Sequence, residues 1–133
     1  MKIIIPGNAI AKKNSQRVVR MGGRYAIRAS KAYDKWEKAA LQHLQCRYGG
    51  VVWKGCYPLR FHIFFWRANK RKFDLSNMLE GSQDVLQKAG IIEDDSMRHV
   101  VPVFDGWDID RDNPRVEIFL EKYCDNIKRI AKT

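Results

Sequence analysis

Leu75, Met78, Leu79, Ser82, Val85, Leu86 and Ala89 recur at 3.6-residue spacing, and only an amphipathic helix gathers them on one face. The pattern predicts a helix that starts at Asp74 and ends at Gly90, a natural residue for the position just past a helix. Its opposite side carries Asn77, Glu80, Asp84 and Lys88. The surrounding stretch, FDLSNMLEGSQDVLQKAGIIEDD, holds six carboxylates (Asp74, Glu80, Asp84, Glu93, Asp94 and Asp95) directly after the basic run RANKRK. The chain as a whole has a formal net charge of +10. Carboxylates crowd together when water and distance, a salt-bridge network or a divalent cation offsets their repulsion.

The rest of the chain supplies partners for that helix. Lys2–Ile5 reads as a short strand stopped by Pro6-Gly7, residues 8–23 as a basic loop or irregular hairpin, and Arg24–Arg28 as a return strand. Ser30 is a candidate N-cap for a first helix whose stripe is Tyr33, Trp36, Ala40, Leu44 and Tyr48, ended by Gly49-Gly50. Tyr57–Trp66 is a long aromatic strand; Ile91–Ile92 begins a short extended segment, and Val100–Phe104 and Val116–Glu121 are further strands. Helices between strands predict an α/β fold, or α+β, with one mixed sheet and two main helices.

The 133 residues suit a single domain, 1–133, with a mildly basic tail from about residue 123. No apolar run reaches membrane-spanning length, and the N-terminal MKIIIPGNAIAKK is too short in apolar residues for a signal peptide. Cys46, Cys56 and Cys124 are odd in number and lack CxxC spacing, so they predict buried or incidental thiols and a cytoplasmic protein away from membranes.

Charge is unevenly spread. Residues 1–72 hold 17 Lys/Arg against 2 Asp/Glu, whereas residues 73–133 hold 8 against 13. One half suits a polyanion and the other suits cations, which together point to phosphate handled beside bound metal; the plain alternative is mutual neutralisation across one surface. Mg²⁺ takes oxygen ligands, commonly one or two carboxylates with water and substrate phosphate. A helix start at Asp74 and a segment returning with Asp94 or Asp95 beside it would meet that need. Each acid also has a plainer role: Asp74 as an N-cap, Asp84 as the i,i+4 partner of Lys88, Asp94-Asp95 as a turn. The joint pattern beside Lys70, Arg71 and Lys72 favours the metal. With Lys12, Lys13, Asn14, Arg17 and Arg67, those three cations form the expected DNA-binding set.

Other chemistries find no support. The run DGWDIDRDNP superficially matches a calcium loop, but its sixth position is Asn113 and its twelfth Phe119, so it reads as a hairpin loop. The three histidines are scattered, and neither a GxSxG nucleophile elbow nor a GxGxxG or GxxxxGK[ST] phosphate loop is present.

The basic run followed by DLSNMLEGSQDVLQKAGIIEDD resembles the RusA-type Holliday junction resolvases, as do PGNAIAKKNSQR and NPRVEIFL at the two ends. The likeness covers most of residues 2–121. It implies a small α/β homodimer that uses Mg²⁺, with Mn²⁺ as a substitute, to nick opposing strands of a four-way DNA junction. The family pattern is Asp-x-Asp-Asn, a Lys three residues later, and then a late Asp-Asp pair. Asp74, Asn77 and Asp95 match, and Asp84 matches a further acid; Ser76 replaces the second acid, and Glu80 stands where the Lys would be. Either Glu80, one turn from Ser76, restores the missing carboxylate, or the chain binds branched DNA without cutting it. RNA cleavage by the same chemistry is a third reading. The resemblance makes Asp74, Glu80 and Asp95 the expected catalytic metal ligands, with Asp84 and Asp94 in support.

Overall fold

The computed structural model describes residues 1–11, 16–29, 31–94 and 98–123, with the backbone alone at 16–19, 21 and 26–29. Its elements run β1 (Lys2–Pro6), β2 (Gln16–Met21), β3 (Arg24–Ala29), α1 (Lys31–Tyr48), β4 (Leu59–Arg67), α2 (Leu75–Lys88), β5 (Val100–Ile109) and β6 (Arg115–Lys122). Strand β4 is the organising element. Its sequence LRFHIFFWR alternates, and Leu59, Phe61, Ile63 and Phe65 all turn inward at 0–1% exposure. Burying each such side chain contributes roughly 1.5–3 kcal/mol. The same alternation carries Arg67, the strand's last residue, inward as well.

β4 sits between β5, which runs parallel to it, and β6, which runs antiparallel, giving a four-stranded mixed sheet in the order β1-β6-β4-β5. The inward faces of β1 and β6 add Ile3, Ile5, Val116, Ile118 and Leu120 to one core. Helix α1 covers it with Tyr33, Trp36, Ala40 and Leu44, as its periodicity predicts. Helix α2 buries Met78, Ser82, Val85 and Leu86. Past its end, Gly90 adopts φ +78°, its N–H donates to the Gln87 carbonyl, and the Ile91 N–H donates to Leu86. This is the Schellman ending.

The predicted α/β architecture, with one mixed sheet and two helices, is present. Several details differ. β2 and β3 are regular paired strands in a separate two-stranded sheet, turned at Gly22-Gly23, both with positive φ. Ile91 and Ile92 form no strand and sit in the core, with the Ile91 carbonyl accepting from the Trp53 N–H. The run 105–114 is not a hairpin loop: β5 continues to Ile109, and β5 and β6 flank β4 without pairing. The remaining loop crosses the end of β4, held by Asp110 N–H to the Arg67 carbonyl and by the 2.9 Å Arg115–Asp110 ion pair. Cys46 and Cys56 are exposed free thiols. Ser30 and the tail from 124, including Cys124, lie outside the described residues. No helix among the described residues is long and apolar enough to cross a membrane.

β5 carries a bulge opposite Ile63/Phe64: Ile63 faces Phe104, but Phe64 already faces Gly106. Gly106 has φ +132°, and a Cβ there would lie 3.2 Å from the Phe64 ring. The extra residue shifts the alternation, so Phe104 and Trp107 stand opposite the inward-facing Ile63 and Phe65.

On the other sheet face, His62 bridges Glu121 (Nε2, 2.7 Å) and Asp105 (Nδ1, 3.3 Å). Partial burial lowers its pKa, but the two carboxylates outweigh this and raise it above the ordinary value. A raised folded-state pKa gives stability that is complete below the unfolded value and is lost as pH rises through the folded one. Between pH 6 and pH 8.5 the wild-type chain should lose unfolding free energy that a His62→Asn variant does not, as read from urea midpoints at each pH.

Candidate functional site

The N-terminal end of α2, the end of β4 and the segment after β1 enclose an open cavity of ≈ 290 Å³, walled by Asn8, Arg67, Asn69, Arg71, Lys72 and Asp74. Asp74 is the N-cap: its Oδ1 accepts the Asn77 backbone N–H at 3.1 Å, leaving its second oxygen without a partner among the described residues. Two asparagines set the other walls. Asn8 Oδ1 accepts the Ala68 N–H at 3.0 Å, and Asn69 Oδ1 accepts the Arg71 N–H at 3.0 Å. Both therefore use their acceptors on backbone and keep NH₂ donors for a ligand.

Arg67 is the unusual member. It is 6% exposed, and among the described residues it forms no ion pair. Nη2 reaches the Arg71 carbonyl at 3.5 Å, Nη1 the Met78 sulfur at 4.0 Å, and Nε is buried without a hydrogen-bond partner. The guanidinium carbon lies 4.6 Å from the Phe73 ring centroid, a cation–π contact. Burial pushes its pKa below the usual arginine range, but an arginine stays charged in proteins. A buried cation without an anion is expensive, and an oxyanion in the cavity would supply the missing acceptors.

The predicted site residues divide. Asp74, Arg67, Arg71 and Lys72 meet at this cavity; Lys70 lines a neighbouring cleft with Arg71 and Lys72. Glu80 and Asp84, both half-buried, act electrostatically on Tyr33 of α1, whose hydroxyl donates to Glu37 at 2.9 Å. Burial and these acids together push the Tyr33 pKa up. Asp84 also pairs with Lys88 at 3.4 Å, and Lys88 reaches Glu37 at 3.0 Å. Asp94 lies 3.8 Å from His99 Nδ1. Asp95, Lys12, Lys13 and Asn14 lie outside the described residues, and Arg17 is described by its backbone alone. Among the described residues no three His, Cys, Asp or Glu side chains are gathered to hold a metal ion.

The donors that are present suit a hard cation. Asp74 offers a carboxylate oxygen, and among the described residues no thiolate or paired imidazole adjoins it. Sequence reasoning gave Asn8 and Asn69 no role. It placed Arg67 among the DNA-binding cations without seeing that strand parity, counted from Phe65, turns it inward.

These elements define a small mixed-sheet α/β domain with a cationic, carboxylate-edged cavity at the mouth of one helix. A family model described as "Endodeoxyribonuclease RusA" matches residues 6–121, and the chain belongs to that family. A curated relative, the crossover junction endodeoxyribonuclease RusA of Aquifex aeolicus (strain VF5), is 30% identical over 83 residues. The match covers 62% of this chain and 64% of that relative, less than two thirds of its length.

Three substitutions at two positions separate the roles at this site. Asp74→Asn keeps an equally good cap, so its urea midpoint should equal wild type, whereas any Mg²⁺ or Mn²⁺ binding that uses the carboxylate, read by calorimetry, would be lost. Asp74→Ala should lose about 1 kcal/mol of stability as well. Arg67→Met should be as stable as wild type or more so, because it removes an uncompensated buried charge. Inorganic phosphate should raise the unfolding temperature of wild type and leave that of Arg67→Met unchanged.

Proposed function

We propose that this chain is a divalent-metal-dependent, structure-selective endodeoxyribonuclease that cleaves four-way or other branched DNA as a homodimer. The observation that carries the reading is a carboxylate, Asp74, facing the same cavity as the buried cation Arg67, which has no ion-pair partner among the described residues, in a chain of the RusA family. Asp74 and Asp95 are the proposed ligands of Mg²⁺, for which Mn²⁺ can substitute. Glu80, one turn from Ser76, supplies the acid that Ser76 lacks, with Asp84 and Asp94 in support. A divalent cation held there would polarise the phosphodiester and stabilise the charge that builds on it during hydrolysis.

The chain's own groups do the positioning. Arg67 and Arg71 hold a non-bridging phosphate oxygen, with the asparagine NH₂ groups fixing its orientation. Lys70 and Lys72, with Lys12, Lys13, Asn14 and Arg17, follow the flanking backbone without reading its sequence. A two-fold dimer presents two such sites to the two symmetry-related strands of a junction.

The test is cleavage of an end-labelled four-way junction in Mg²⁺, with EDTA and Asp95→Asn as controls. Paired nicks in opposing strands, abolished in both controls, are expected, and Glu80→Ala should lower the rate by at least about 100-fold. Full activity in Glu80→Ala would remove Glu80 from the ligand set. Tight, salt-dependent junction binding without nicks in either metal would make the chain a DNA-binding protein with a degenerate site.

A further inference from the structure

The bulge in β5 leaves Phe104 and Trp107 exposed by 37% and 44% on the helix-side face of the sheet. They are not loose. Phe104 lies 6.2 Å from the Phe65 ring, and Trp107 meets Phe73 edge to face at 5.8 Å. Between them and residues 70–75 lies a second open cleft, ≈ 330 Å³, whose remaining lining is Phe73, Leu75 and the three consecutive cations Lys70, Arg71 and Lys72. Among the described residues no carboxylate lines it. Segment 71–73 is shared: one side faces the Asp74 cavity, the other this cleft.

We propose that this cleft is a stacking platform for an unpaired nucleobase, with Trp107 and Phe104 taking the base and Lys70, Arg71 and Lys72 taking the adjoining phosphates. An exposed indole fixed by an edge contact offers a rigid π-face. Any base can stack on such a face, so recognition is of an unstacked strand and not of a sequence. Three adjacent cations beside the aromatic pair match a strand's alternation of base and phosphate. A protein partner fits less well, since interface cores are depleted in lysine. The inference rests on the proposed function for its polymer being DNA, and it adds a substrate class: strands opened at a branch point or end, bound next to the site of cleavage.

The test uses the full chain in EDTA, with a fluorescently labelled oligothymidylate, an abasic oligomer of equal length, and the proteins wild type, Trp107→Ala and Trp107→Phe. Trp107→Ala should bind oligothymidylate roughly 10- to 100-fold more weakly than wild type. Trp107→Phe should recover most of that loss. The abasic strand should bind all three proteins equally and weakly, which a purely electrostatic or structural role for Trp107 would not produce. Equal oligothymidylate affinity in wild type and Trp107→Ala overturns the platform. So does a Trp107→Ala protein that binds the strand normally but changes oligomeric state in sedimentation, because the patch then contacts a second copy.

Junction nicking in Mg²⁺ is measured in parallel. Nicking with no base-dependent difference between wild type and Trp107→Ala overturns the platform and leaves the nuclease. Base-dependent binding without nicking supports the platform and removes the nuclease.

Discussion

The guanidinium of Arg67 lying against the Phe73 ring holds the two halves of the site together. Arg67 ends the most buried strand, and Phe73 ends the segment that leads into α2. Their contact at 4.6 Å brings the start of α2, and with it the Asp74 carboxylate, to the end of the sheet. Phe73 also touches Phe65 at 6.1 Å and Trp107 at 5.8 Å. One aromatic ring thus backs the buried cation, seals the core and orients the exposed indole. Electrostatics follow from this packing: the cation is withdrawn from water, and what could complete it lies on the cavity side.

That arrangement would separate the two proposed functions within a few residues. The polar cavity gathers a carboxylate, a buried guanidinium and asparagine donors, a set suited to a cation and an oxyanion held together. The cleft on the other side of the same segment gathers aromatic surface and mobile point charges, suited to polymer and not to chemistry. The single insertion at Asp105–Gly106 makes the second possible, since regular alternation would have placed Trp107 on the opposite sheet face.

Much of this was legible in the sequence. The 3.6-residue stripe from Leu75 to Ala89, its Asp74 start and its Gly90 stop appear as helix, cap and Schellman ending, because local spacing and φ preferences decide them. The aromatic run of β4 was legible as a strand, but not which of its two faces turns inward. What escaped was non-local. Whether β5 and β6 pair depends on β4 lying between them, which no property of residues 105–114 reveals. The bulge depends on pairing register, and so does the exposure of Trp107. Glu80 and Asp84 show both the reach and the limit of helical spacing: it gave the Asp84–Lys88 pair, but not the electrostatic action of the two acids on Tyr33 of α1.

The position of Arg67 at the end of β4 has a dynamic consequence. β4 has a hydrogen-bonded neighbour on each side, so its amides belong with those that exchange only on near-global opening. Residues 70–72 lie in neither helix nor strand, and their backbone is tied by short local bonds such as Arg71 N–H to Asn69, whereas Phe73 beyond them is anchored by its ring contacts. A phosphate bound there as proposed would therefore meet one fixed wall and one compliant wall. The fixed wall would set the reference geometry and the compliant one would absorb differences between substrates, so that fit need not loosen the core.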